Sequence, residues 1–177
     1  MAIFNAPFAC TTVYARLHAV ILALSLLAPA TVHAAPIGDA GSETEAILLA
    51  MIPIGKQLLE KQGKFVPYGG AMTMDGKVIT VAGYSGTEPP PSPEIIDALN
   101  FAFRTGALTG TYKATGLFSD VEASPPGNKE KTRAIAAALD HQDNYSVVIY
   151  FPYKIVAGKV EFNEVFASPG ENKVFQK

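Results

Sequence analysis

The chain is predicted to fold as α+β: an antiparallel sheet of about five strands with helices packed on one face. Three observations predict this. Apolar residues recur at helical spacing in two segments, near 43–62 and 93–105. Apolar, β-branched and aromatic runs follow each of them, separated by turn pairs such as Asp75-Gly76 and Ala157-Gly158. The resulting order, α-β-β-α-β-β-β, does not alternate strand with helix, so it cannot build a parallel doubly wound sheet.

The first 35 residues stand outside that fold and read as a cleaved export signal. Arg16 is followed by the apolar run Ala19 to Ala28, then by Pro29 and small residues at Ala30, Thr31, Ala34 and Ala35. A basic start, a short apolar run and a small-residue exit are the three parts of a secretory signal. A membrane-spanning helix needs about 20 apolar residues, roughly twice this run. Cleavage is expected after Ala34 or after Ala35. Cys10 precedes the run, which does not fit a lipoprotein cleavage site. The expected location is therefore periplasmic or secreted, with residues 36–177 as one α+β domain.

Each element of that domain has its own signal. Ser42-Glu-Thr-Glu45 fits a capping box. Ala46, Ile47, Ala50, Met51, Ile54, Leu58 and Leu59 then predict a helix from Glu43 to Gln62, closed by Gly63. Pro53 predicts a kink or two shorter helices, because it removes a backbone bond and crowds the preceding turn. Val66–Met74 and Lys77–Tyr84 flank Asp75-Gly76, a pair suited to a type I′ hairpin turn. The second of these strands is apolar on both faces and is expected to be covered on both. Ser92-Pro93-Glu94 is a strong helix start. That helix is expected to run from Pro93 to Thr105 and to end at Gly106.

Tyr112 to Ala123 reads as a strand, with Gly116 marking a bulge. Thr132 to Asp140 carries alanines that favour helix. Its length, and the turn-like His141-Gln-Asp-Asn144 that follows, favour a strand of a second hairpin, and strand is the expectation. Tyr145 to Ile155, interrupted by Pro152, is the clearest strand. Ala157-Gly158 turns into Lys159–Phe166. The tail from Ser168 is expected to be loose, although Val174-Phe175 could dock. Roadblock, profilin-like and PAS-like domains share this order of elements, a likeness of fold that carries no function.

Composition excludes several function classes. Beyond residue 35 there are thirteen bases and sixteen acids, a formal charge near −3 with no basic stripe. Nucleic acid is thus not expected as a partner, and membrane contact is expected only through the transient signal. The single cysteine is Cys10, so the mature part has no disulfide, thiol nucleophile or zinc–thiolate site. No cofactor or metal motif is present.

Candidate functional residues are few. His141 is the one histidine after residue 35, set between Asp140 and Asp143 in what reads as a solvated turn. It could serve as a base or a metal ligand, but the spacing lacks the oxygen ligands and glycine of a calcium loop. Asp120 and Glu122 share a strand face, as a carboxylate pair for acid–base chemistry would, and as a solvated face does more often. Tyr68, Tyr84, Tyr112, Tyr150 and Tyr153 could line an apolar pocket if they share a sheet face. The expected binding residues are Tyr68, Tyr84, Tyr153, His141 and Asp143, with no catalytic set.

Phe65-Val-Pro-Tyr-Gly-Gly-Ala71 with Asp75-Gly76, the turn Asp140-His-Gln-Asp143 and Phe151-Pro-Tyr153 resemble a small bacterial family of uncharacterised proteins. The resemblance spans roughly Glu45 to Phe175. It implies one domain and supplies no catalytic residues. Many members lack an export signal, so this chain would be an exported variant. The expected function is a non-enzymatic exported module that binds a small apolar ligand or a protein partner. The alternative is a hydrolase using His141 and nearby acids.

Overall fold

The computed structural model describes residues 39–127 and 130–176. The expected signal lies outside the described residues. Two helices and seven strands follow in the order α1 (Asp39–Gln62), β1 (Tyr68–Thr73), β2 (Val78–Val81), α2 (Ser92–Leu108), β3 (Tyr112–Ala123), β4 (Thr132–His141), β5 (Tyr145–Val156), β6 (Lys159–Phe162) and β7 (Phe166–Pro169). Every strand pairing is antiparallel. The strands lie in the spatial order β2-β1-β3-β4-β5-β6, and β7 pairs with β5.

The α+β class and the order of elements are as expected. The sheet has seven strands rather than about five, because the segment after Gly158 forms two. β6 covers the Tyr153–Val156 half of β5, and β7 covers Val147–Tyr150 on the other half. The tail is not loose: Val174 is buried with Ile95, Leu99 and Phe103 of α2.

The helices do not share a face. Adjacent strand residues point to opposite sides of a sheet. A Cβ on Gly69 would meet Phe103 and Leu99 of α2, and one on Gly70 would meet Met51 and Ile47 of α1. The sheet is therefore sandwiched. One core lies under α1, around Ile47, Met51, Phe118, Ile135 and Leu139. A smaller one lies under α2. The Gly-Gly pair lets both helices come close at one point of β1. Sequence periodicity shows that a helix has an apolar stripe, not which face of the sheet receives it.

α1 is one helix through Pro53. Proline cannot donate to the carbonyl four residues back, that of Leu49, but both residues lie on the exposed side, where water can solvate that group. The helix already runs at Asp39, so Ser42 is not its cap, and the Thr44 hydroxyl donates back to the Ala40 carbonyl at 2.8 Å. The β1–β2 turn spans residues 74–77, with Gly76 at φ 84° and its N–H donating to the Thr73 carbonyl. Asp75 keeps a negative φ, so the turn is not type I′. β2 is an open edge, not a strand covered on both sides, and Ile79 is 36% exposed.

Gly106 does not end α2; it sits inside, where a Cβ would come within 2.1 Å of the Tyr112 ring. Gly116 marks no bulge, since it pairs in register with both Gly70 and Leu139, beneath Ile47. The register shift lies at Met72/Thr73 instead. The 132–140 segment is a strand, as expected: it carries Ala134, Ala136 and Ala137 buried between neighbours on both sides, where packing overrides alanine's helix preference.

Candidate functional site

His141 closes β4 and is 1% exposed, not solvated in a turn. The Asp143 backbone N–H donates to its Nδ1 at 3.0 Å. That places the ring proton on Nε2, which faces Glu43 Oε2 at 2.8 Å. The other Glu43 oxygen accepts from Lys113 Nζ of β3 at 2.5 Å. Burial pushes the Glu43 carboxyl up, but the hydrogen bonds from Lys113 and His141 and the charge of Lys113 outweigh it and hold the group below its ordinary range. Both ring nitrogens are thus engaged inside the protein, and the histidine presents no lone pair to a substrate. The trio fastens the first turns of α1 to the ends of β3 and β4. Asp143 contributes its backbone; its side chain is mostly exposed. Among the described residues no three His, Cys, Asp or Glu side chains are grouped to hold a metal.

The tyrosines divide between the faces. Tyr68 lies under α1, stacked on Phe118 at 5.2 Å, with its hydroxyl donating to the Met51 carbonyl at 2.8 Å. Burial pushes its phenol up, against a Gly55 backbone contact that lowers it. Tyr153 is buried beside the same core and donates to Asp120 Oδ1 at 2.7 Å. Burial and then Asp120 push its phenol up, while Arg133 opposes. Arg133 pairs with Asp120, donates to the Gly63 carbonyl at 3.0 Å and lies over the Tyr153 ring. Asp120 is thus committed to Arg133 and Tyr153, and is not free to act with Glu122. Tyr84 belongs to the α2 core, and Tyr150 stacks on Phe166 of β7. The five expected binding residues do not converge.

A cleft of about 330 Å³ lies instead on the α2 face. It exists because α2 packs on β1 and β3, leaving the same face of β4 and β5 without a helix. Leu117, Ala138 and Val148 form its floor, cross-strand neighbours in register. Ile96, Asn100 and Phe103 of α2 form one wall, and the strap from Ser168 to Val174 forms the other. Ala138 leaves room that a larger side chain would fill.

Ser146 fixes the strap at the polar end. Its Oγ donates to Asp140 Oδ1 at 2.5 Å and accepts from the Asn172 N–H at 3.0 Å. Its carbonyl accepts from the Gly170 N–H at 3.2 Å. A Cβ on Gly170 would strike the Ser146 Oγ at 2.0 Å, so the crossing needs glycine. Asn172 takes a left-handed φ of 45°, donates to Asn144 at 2.7 Å, and keeps a buried Oδ1 without a partner. Two larger hollows are lined mainly by charged and polar side chains. One, of about 590 Å³, lies by Pro125 and Glu164; the other, of about 710 Å³, is walled mainly by polar residues such as Gln142, Asp143 and Glu171.

Sequence reasoning missed this cleft. Its floor is three ordinary strand residues, and its second wall is the tail. The one available signal was Val174-Phe175, an apolar pair in a polar tail that had to dock somewhere. Comparison with family models, with curated proteins and with solved structures gives no match to this chain.

Proposed function

We propose that this chain is an exported, non-catalytic module that holds a small amphipathic molecule in the cleft between α2, the sheet and the C-terminal strap. One observation carries the reading: an apolar floor and wall that end in a polar corner, in a cavity of about 330 Å³. That size and lining fall within the range of small-molecule sites. The engaged ring nitrogens of His141 count against the hydrolase alternative. Export rests on the pattern of residues 16–35, and kinship with the uncharacterised bacterial family rests on the short segments it resembles. Gly69 and Gly70 in one of those segments have a structural use, the close approach of both helices.

The test is amide chemical-shift mapping with a library of small amphipathic molecules. The expected shifts cluster on Leu117, Ala138, Val148 and Val174. Ala138→Phe should fill the floor and weaken binding at least tenfold while the chain stays folded. Shifts that cluster around Gln142 or Pro125, or binding that survives Ala138→Phe, would overturn the reading.

A further inference from the structure

The charges around the cleft point to the class of ligand, on the premise that the cleft is a binding site. Three ionisable side chains other than tyrosine line it: Asp140, Glu171 and Lys173. Lys173 is already paired with Glu171 at 2.6 Å. Asp140 is half-buried, and its one partner is a neutral group, the Ser146 hydroxyl on Oδ1. Among the described residues no lysine, arginine or histidine nitrogen pairs with it. Buried and half-buried carboxylates are ordinarily matched by a cation or by several donors. The other acids with little exposure are matched: Glu43 by Lys113 and His141, Asp120 by Arg133 and Tyr153, Glu60 by Lys159 and the Val160 N–H. Ser146 fixes Oδ1 and so orients the carboxylate, leaving Oδ2 for a second donor.

We infer that the cleft takes a primary organic amine, its ammonium group on Asp140 and its apolar body along Leu117, Val148 and Phe103. A formal charge near −3 beyond residue 35 favours the approach of a cation. A hydrogen bond to a charged partner is about twice as strong as one between neutral groups. The amine should therefore bind more tightly than an alcohol of the same length.

The test titrates the protein with hexylamine, hexan-1-ol and hexanoate at pH 7, followed by amide shifts at the cleft. Hexylamine should bind roughly tenfold more tightly than hexan-1-ol, with hexanoate weakest. Asp140→Asn keeps an acceptor for Ser146 and should bring hexylamine down to the level of the alcohol. Added salt should weaken the amine and leave the alcohol unchanged. If the alcohol or hexanoate binds at the cleft as tightly as the amine, or if Asp140→Asn leaves the amine's advantage intact, the amine assignment fails and the cleft reading stands. If none of the three binds at the cleft of the folded protein, both fail together.

Discussion

Replacing Glu43 with alanine should destabilise the fold far more than its place on the first turns of a helix suggests. The substitution removes the acceptor of the buried His141 Nε2–H and the partner of Lys113. The ring cannot rescue itself by moving its proton. Nδ1 must remain an acceptor, because the Asp143 N–H points at it. An orphaned buried donor costs about 1–3 kcal/mol, and the half-buried Lys113 pair adds to it, for roughly 2–4 kcal/mol in all. With a urea m-value near 2 kcal/mol/M, the midpoint should fall by about 1–2 M.

The pH dependence has a definite sign. The folded Glu43 pKa lies below its ordinary value. Its contribution is thus present above the unfolded value of about 4.3 and is lost as pH falls through the lower, folded one. Glu43→Gln should lack that acid-sensitive component. The assay is a set of urea melts from pH 7 down to pH 3, with Glu45→Ala, two positions away on the exposed side of α1, as the control. A Glu43→Ala midpoint within about 0.3 M of that control, which at the same m-value is about 0.6 kcal/mol, would refute the fastening role.

Other outcomes are equally specific. Gly69→Ala should cost about 1–3 kcal/mol, and more than Gly70→Ala. The first Cβ meets the rigid Phe103 ring at 2.6 Å, the second the flexible Met51 side chain at 2.8 Å, and paired urea melts compare the two. Ser146→Ala removes the hydroxyl that holds Asn172 and Asp140, and limited proteolysis should then trim the chain beyond Gly170 faster than in the wild type. N-terminal sequencing of the protein from its native host should begin at Ala35 or Pro36, whereas an intact Met1 on a membrane-bound product would sink the export reading.

Local chemistry was legible where it depended on neighbours in sequence. β3 occupies the predicted span, bounded by the turn at Gly110 and the Ser124-Pro-Pro-Gly127 loop. The Ala157-Gly158 turn, with both residues at positive φ, follows the same logic. What depended on distant residues was not legible. His141 reads as a turn residue until Glu43, 98 positions earlier, is brought against it. Tyr68 and Tyr153 read as pocket residues until the helix settles over them. The cleft itself arises from where α2 stops covering the sheet, a quantity set by three-dimensional packing and not written in any segment.

The lengths of the strands have a consequence for encounters between molecules. The three longest, β3, β4 and β5, are interior, and each outer position is taken by a piece of only four residues: β2 at one side, β6 and β7 at the other. An incoming extended chain gains affinity one backbone pairing at a time, and here it would run out of partners after four. Long continuous edges are where sheets recruit copies of themselves. This chain breaks its second edge in two, so that β5, with the most apolar run in the sheet, is never offered whole to a neighbour.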